Sequence, residues 1–301
     1  MKKIIVIGLS NVGLNYINYL MNQNNLSLEI GVIDDDRDKV LGHIMDLNHS
    51  SILNSSNNKV KVCEYDDCFN ADIVVITKML ENIDNYDSLE ENTKMVKDIT
   101  LKVMNSGFNG IFLIATALVD LMTYLVREVS NLPINKVIGT GTIVDTIRLK
   151  YLISQKISVN SDNIHAYVIG QHLNNPFSIW SKASIGMVPI KEKINEYDLD
   201  AIMIETNSLE RKIINYKGEN SFAISKVLLK ITKSIINDEN LILTTSSFYN
   251  GVYIGMPSVI GSSGIKGVMK IKLDEEENKK LEQSVNNIKN QIEKMEVLLW
   301  W

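Results

Sequence analysis

Residues 3–13 read KIIVIGLSNVG, and the fold follows from how this stretch is parsed. A run of β-branched residues stops at Gly8, and apolar residues at helical spacing resume beyond Ser10. A strand, a tight turn and a helix are expected in that order. Gly8 permits the turn, and Gly13 lets the helix lie close to the sheet. The helix start at Ser10, Asn11 and Val12 presents backbone amides and the positive end of the helix dipole, a seat for a pyrophosphate. Ser10 stands where G-x-G-x-x-G has its middle glycine, so the motif is imperfect and weak taken alone.

Working outward, the same alternation continues. LEIGVID (28–34) reads as a second strand, and RDKVLGHIMDLNHS (37–50) as a second helix. KVKVCEY (59–65) and ADIVVIT (71–77) read as further strands. A helix over 88–107 is closed by Gly107, and strands follow at GIFLIAT (110–116) and KVIGTG (136–141). Strands separated by helices mean parallel βαβ units in an open, doubly wound sheet. Asp34 ends the second strand about 20 residues beyond Gly13, where an acid accepts from both ribose hydroxyls and repels a 2′-phosphate. Asp34 also reads as a helix cap beside Asp35 and Asp36. Strand, glycines, helix, strand and acid in this order point to NAD rather than NADP.

Past residue 143 the alternation gives way to a long helix, hairpin-like strands around 164–190, helices near 196–214 and 221–237, and strands over 241–273. The last helix opens with DEEE, where Asp274 and Glu277 fit a capping box. It sets Leu281, Val285, Ile288, Ile292 and Met295 on one packing face. The expected division is a Rossmann half over 1–143 and an α+β substrate half over 144–301, with the second half a separate lobe.

Composition excludes several classes. A net charge of −5 offers no electrostatic reason to expect nucleic acid or an anionic membrane as partner. Cys63 and Cys68, the only cysteines, match neither a zinc site nor a thioredoxin motif and read as reduced thiols. The apolar stretch IFLIATALVDLMTYLV carries Asp120 and is too short to span a bilayer. No cleavable leader is evident, so a cytoplasmic protein is expected. His43 and His49 show no ligand spacing and read as structural.

AYVIGQHLNN (166–175) runs apolar, breaks at Gly170 and presents His172 on a polar loop. Alone, His172 reads as an ordinary polar residue at a strand end. Together with IMDLNH (44–49), SGFNGIFLIAT (106–116), VIGTGTIVDTIRLKYLI (137–153), KITKSIINDEN (230–240) and GVYIGMPSVI (251–260), the chain resembles the L-lactate/malate dehydrogenase family over nearly its whole length. The likeness is greatest to L-lactate and L-2-hydroxyisocaproate dehydrogenases. It implies hydride transfer between NAD(H) and a small L-2-hydroxy acid, in a homodimer or homotetramer. It also implies that His172 exchanges the hydroxyl proton, that Asp145 holds its other ring nitrogen, and that Arg148 clamps the substrate carboxylate. Thr77 and Ala117 fall on the cofactor side, and Asn220 beside the substrate. Residue by residue, Asp145 also fits a capping box after Thr142, and Arg148 a solvated helix position.

The chain departs from the family where the carbonyl is polarised. The segment KMLENIDNYDSLEEN (78–92) holds no arginine, and Asn85 falls nearest the family's position for it. Ala117 replaces an asparagine, Leu173 replaces the glycine after the histidine, and Asn220 replaces threonine. Losing one preorganised donor at a developing oxyanion costs on the order of 10²–10³ in turnover. Lys78 is the nearby cation that offers compensation, or else is a solvated lysine. Met79, Leu80 and Ile83 suit an apolar wall, favouring lactate or a larger aliphatic acid over malate. By family analogy Lys150 and His165 sit at a fructose 1,6-bisphosphate site, weakened by the lysine's point charge. The competing expectation is an impaired relative retained for NAD binding or interaction.

Overall fold

The computed structural model describes residues 1–53, 56–78 and 86–299. The first half runs β1 (Lys2–Ile7), α1 (Asn11–Met21), β2 (Leu28–Ile33), α2 (Arg37–Ser51), β3 (Lys59–Val62), β4 (Ile73–Ile76), α3 (Tyr86–Asn105), β5 (Ile111–Ile114), α4 (Val119–Ser130) and β6 (Val137–Gly139). These six strands are parallel, in the order β6-β5-β4-β1-β2-β3. Connections leave β1 in both directions, toward β2 and, later in the chain, toward β4. The switch in strand order therefore falls beside the turn after β1, where open α/β sheets bind ligands at the carboxyl ends of their strands. Both faces of the sheet are covered, so β4, β5 and the last four residues of β1 are continuous apolar runs rather than alternating ones.

The second half adds α5 (Ile143–Ile157), the short strands β7 (Ile164–His165), β8 (Val168–Ile169), β9 (Phe177–Ser178), β10 (Ser184–Ile185) and β11 (Val188–Pro189), then α6 (Glu196–Lys217) and α7 (Phe222–Asn237). A meander of β12 (Leu241–Tyr249), β13 (Val252–Gly261) and β14 (Gly264–Val268) precedes α8 (Glu275–Leu299). β12 pairs antiparallel with β6 through Ser246 and Gly139, so the meander extends the parallel sheet to nine strands. The boundary expected at 143/144 falls at the start of α5, and sheet hydrogen bonding crosses it.

Two elements differ in detail from the sequence reading. KVKVCEY is a strand only to Val62; Glu64 and Asp67 then cap a short 3₁₀ helix over 65–70. The stretch IFLIATALVDLMTYLV is β5, a bend with Leu118 in the left-handed region (φ 53°), and α4. The cap on α8 forms as read: Asp274 accepts from Glu277 N at 2.9 Å and its own N–H donates to Glu277 at 3.2 Å. All five residues of the α8 stripe are buried. Cys63 and Cys68 are free and buried, and burial pushes their thiols up to about 11 and about 12, so neither is a ready nucleophile. Among the described residues, no helix is long and apolar enough to cross a membrane.

Candidate active site

The turn after β1 is built too tightly for side chains. Gly8 has φ +100°, and a Cβ there would lie 2.4 Å from the backbone nitrogen of Lys78. A Cβ on Gly13 would lie 2.3 Å from the Gly8 carbonyl oxygen and 2.6 Å from Thr77 Oγ1. Ser10 is the N-cap of α1: its hydroxyl donates to the Thr77 carbonyl at 2.7 Å and accepts from Gly13 N at 3.3 Å. The replacement for the middle glycine is thus a strap between the turn and β4. Thr77 is fully buried and donates to the Gly8 carbonyl at 2.6 Å, so its hydroxyl braces the turn. Val12 is buried and Asn11 exposed.

Asp34 ends β2, where Oδ2 accepts from Leu9 N at 2.5 Å and Oδ1 from Asp35 N at 2.7 Å. It lines a cavity of about 180 Å³ with Val62 and Glu64. Lys78 Nζ is bonded to Asp35 and lies 3.8 Å from Asp34 Oδ1. This lysine serves the Asp34 end of the sheet edge. Met79, Leu80, Ile83 and Asn85 lie outside the described residues.

Farther along the same edge, α5 presents Asp145 and Arg148 one turn apart, both buried. The helix is pinned at its start, where Thr142 N donates to Thr244 O at 2.9 Å and Thr142 Oγ1 donates to Val168 O at 2.7 Å. That second bond ties α5 to β8, whose continuation carries the histidine. Gly170, at φ +100°, exchanges reciprocal 3.1 Å hydrogen bonds with Gly255. The chain then turns so that His172 faces α5.

His172 Nδ1–H donates to Asp145 Oδ2 at 2.7 Å, which leaves Nε2 toward the cavity. The backbone N–H of His172 donates to Asp120 Oδ2 at 2.9 Å, and Ser246 Oγ donates to the other Asp120 oxygen. Glu210, from α6, completes the group. Its Oε2 accepts from Arg148 Nη1 at 2.9 Å and lies 3.5 Å from His172 Nε2. Arg148 Nη1 also reaches Asp145 Oδ1 at 3.5 Å.

These contacts set the protonation states. Burial opposes a charge on His172, but Asp145 and Glu210 outweigh it and hold the imidazole well above its ordinary value. Burial opposes ionisation of Glu210 too, yet His172 and Arg148 bring its carboxyl down to about 2. Asp120, fully enclosed, is pushed up to about 6 by burial against the opposing pull of Ser246 and His172.

A cavity of about 220 Å³ is lined by Ala117, His172, Leu173, Glu210, Ile214 and Asn220, among others. Two buried donors beside it have no hydrogen-bond partner among the described residues: Arg148 Nη2 and Asn220 Nδ2. Such orphans are uncommon and mark places for ligand or water. The residues fit a dinucleotide: Asp34, the turn at Gly8 and Gly13 with no room for a Cβ, and Ala117 beside the cavity lie in strand order along one edge. Asp145, His172 and Arg148 come together as expected, and Asn220 borders the same cavity. Lys150 is half-buried, its ammonium lowered by burial and by Lys230, while His165 is exposed on β7.

Sequence reasoning missed Asp120 as the anchor of His172 and missed Glu210 altogether. A signal for Glu210 exists. Leu199, Ile202, Thr206 and Glu210 form the buried stripe of α6, so a glutamate continues an apolar register.

Comparison with known proteins agrees with this geometry. Residues 2–139 match the lactate/malate dehydrogenase NAD-binding domain, and residues 142–298 the lactate/malate dehydrogenase alpha/beta C-terminal domain. The chain is 39% identical over 310 residues to an L-lactate dehydrogenase of Borrelia hermsii, covering 98% of each chain. It is 40% identical over 302 residues to one from Oceanobacillus iheyensis, covering 95% of this chain and 94% of that one. Among solved structures, a lactate dehydrogenase from a Medee basin deep-sea metagenome superposes with a TM-score of 0.94 at 35% identity, covering 98% of this chain and 99% of that one. The ligand-bound minor L-lactate dehydrogenase of Enterococcus mundtii superposes with a TM-score of 0.93 at 28% identity, covering 97% and 98%. With these two family models covering residues 2–139 and 142–298, the chain belongs to the lactate/malate dehydrogenase family of NAD-dependent oxidoreductases.

Proposed function

We propose that the protein is an NAD-dependent L-2-hydroxyacid dehydrogenase of the lactate type, acting on pyruvate or a larger aliphatic 2-oxo acid. The observation that carries this reading is the 2.7 Å bond between His172 Nδ1 and Asp145, with Arg148 one turn along the same helix. Residues 1–143 hold the cofactor in this reading, and residues 144–301 supply the catalytic side chains. NADH, when bound along the sheet edge from Asp34 to Ala117, supplies the hydride. His172 delivers a proton from Nε2 to the carbonyl oxygen, and Asp145 stabilises the imidazolium beforehand and keeps the ring oriented. Arg148 fixes the substrate carboxylate, and Asn220 Nδ2 is a donor at the cavity wall. A histidine held above its ordinary value is loaded for the reducing direction at neutral pH.

The test is NADH oxidation with pyruvate, 2-oxoisocaproate, phenylpyruvate and oxaloacetate, for the wild type and His172→Asn. Turnover abolished by the substitution with NADH affinity unchanged is the expected result. An unaffected rate would overturn the assignment, and oxaloacetate as best substrate would overturn the lactate-type reading. The second reading, an impaired relative that binds NAD without turning over, is favoured by one observation: Lys78 is held by Asp35 and Asp34 and is not free to assist His172 in polarising the carbonyl.

Two finer assignments accompany the proposal. A dimer or tetramer would cover Leu41 and Met45, exposed on α2, and light scattering in solution reads it directly. Fructose 1,6-bisphosphate at Lys150 and His165 would relieve the repulsion between Lys150 and Lys230, and its effect on rate is measured in the same assay. The cytoplasm is the compartment that supplies NADH and reduced thiols to such an enzyme.

A further inference from the structure

Asp120 meets the His172 backbone rather than its ring; among the side chains that meet one another, the group formed by Asp145, His172, Arg148 and Glu210 is electrically closed. Without Glu210 the site would hold one carboxylate against a guanidinium and an imidazolium, and would carry the net positive charge that a substrate carboxylate neutralises. Glu210 supplies that negative charge from within the chain.

Its position matches the role. One oxygen, Oε2, meets Arg148 Nη1 at 2.9 Å and stands 3.5 Å from His172 Nε2. In the site reading above, these are the two groups that a 2-oxo acid engages, one through its carboxylate and the other through its carbonyl oxygen. Glu210 lines the cavity of about 220 Å³, whereas Arg148 does not, so the carboxylate stands between the clamp and the space a substrate enters. Arg148 Nη2 is buried with no hydrogen-bond partner among the described residues.

We propose that Glu210 is a specificity-determining resident ligand of the carboxylate clamp, which a 2-oxo acid must displace before Arg148 and His172 can receive it. This rests on reading the site as a 2-oxo acid clamp. Binding is then an exchange of carboxylates. An internal carboxylate on a packed helix competes at an effective concentration of millimolar order or higher. Adding a second carboxylate without displacing the first would leave the enclosed group with uncompensated negative charge, which burial makes costly. The outcome is weak capture of simple monocarboxylic 2-oxo acids, and a preference for substrates whose remaining contacts offset the exchange.

The test uses oxamate, an unreactive isostere of pyruvate, titrated into the NADH complex by fluorescence, beside steady-state kinetics with pyruvate. Glu210→Ala is expected to bind oxamate at least about tenfold more tightly than the wild type and to lower KM by a similar factor. Its NADH affinity should be unchanged. Glu210→Gln keeps the volume and one acceptor, and should fall between the two; it also carries the test if Glu210→Ala fails to fold. Oxamate affinity equal to or weaker than wild type in both variants, with NADH still bound, overturns the inference alone. So does a wild type whose preferred substrate bears a basic side chain, since Glu210 would then be reading the substrate rather than sealing the clamp. If no variant, nor the wild type, binds oxamate or turns over, the clamp reading falls and this inference falls with it.

Discussion

The backbone N–H of His172 donates to Asp120 Oδ2 at 2.9 Å, so the loop bearing the His172 imidazole hangs from a carboxylate on α4, an element of the NAD-binding half. The other Asp120 oxygen accepts from Ser246 on β12, which makes this one side chain a three-way joint. An asparagine there offers a single acceptor. Asp120→Asn is expected to lower kcat about tenfold while leaving NADH affinity alone, because it loosens His172 without touching the cofactor turn. A merely structural residue would lower Tm without shifting the pH profile of kcat/KM. The expected result is a shift in the limb that reports His172.

Glu210 and His172 give opposite pH signatures to stability. The Glu210 carboxyl is lowered from 4.5 to about 2, so its contribution is fully present above about 4.5 and drains as pH falls toward 2. The His172 imidazole is raised above 6.5, so its contribution is fully present below 6.5 and is lost as pH climbs through the raised value. Asp120, raised from 3.8 to about 6, loses stability as pH rises across that interval, and it does so in any Glu210 variant. The difference in Tm between wild type and Glu210→Gln is therefore expected to be largest between pH 4.5 and 6.5 and to shrink on either side. A difference independent of pH would refute the coupling.

The turn after β1 leaves Gly13 no room. A methyl there meets the Gly8 carbonyl oxygen at 2.3 Å, a backbone atom that cannot rotate away. Gly13→Ala is expected to cost about 1–3 kcal/mol of stability and to weaken NADH binding by tenfold or more, by forcing α1 away from β1. Thermal unfolding and NADH titration read the two effects separately. Unchanged NADH affinity would show that the turn does not hold the cofactor.

Leu173 adopts φ 65°, a left-handed backbone that a leucine takes at a cost of roughly 1–2 kcal/mol. The residue is 45% exposed, so burial compensates only in part. Leu173→Gly relieves the strain but loosens the unfolded chain, which returns about 0.4–1 kcal/mol of the gain. The net expectation is a Tm equal to wild type or a few degrees higher. A loss of more than about 1 kcal/mol would mean that the side chain packs against its surroundings in solution.

The parts of this molecule that sequence reveals are those whose pattern is local. KIIVIGLSNVG announces a strand, a turn and a helix because periodicity changes from strand to helix across two glycines. The α8 stripe and its cap are legible because both repeat along a single helix. Pairing β12 to β6 is a matter of tertiary register, and no residue near Ser246 or Gly139 announces it. Leu118 hides the start of α4 because an apolar residue at a left-handed position breaks no visible pattern. His172, Asp145 and Arg148 needed family likeness to be joined, since they are brought together by β8 and α5. Glu210 escaped because a glutamate on a helix is ordinarily solvated, and only the fold shows Arg148 and His172 waiting for it.

The seam between β6 and β12 bears on how the chain is made. During synthesis, β6 has one neighbour, β5, and its other edge stays open until Leu241–Tyr249 has been translated. That lies about a hundred residues downstream, roughly 5–20 s at ordinary ribosomal rates. An unpaired strand edge is a template for wrong partners while it persists. The hazard of edge-to-edge aggregation belongs to the nascent chain on the ribosome, and arrival of the meander removes it.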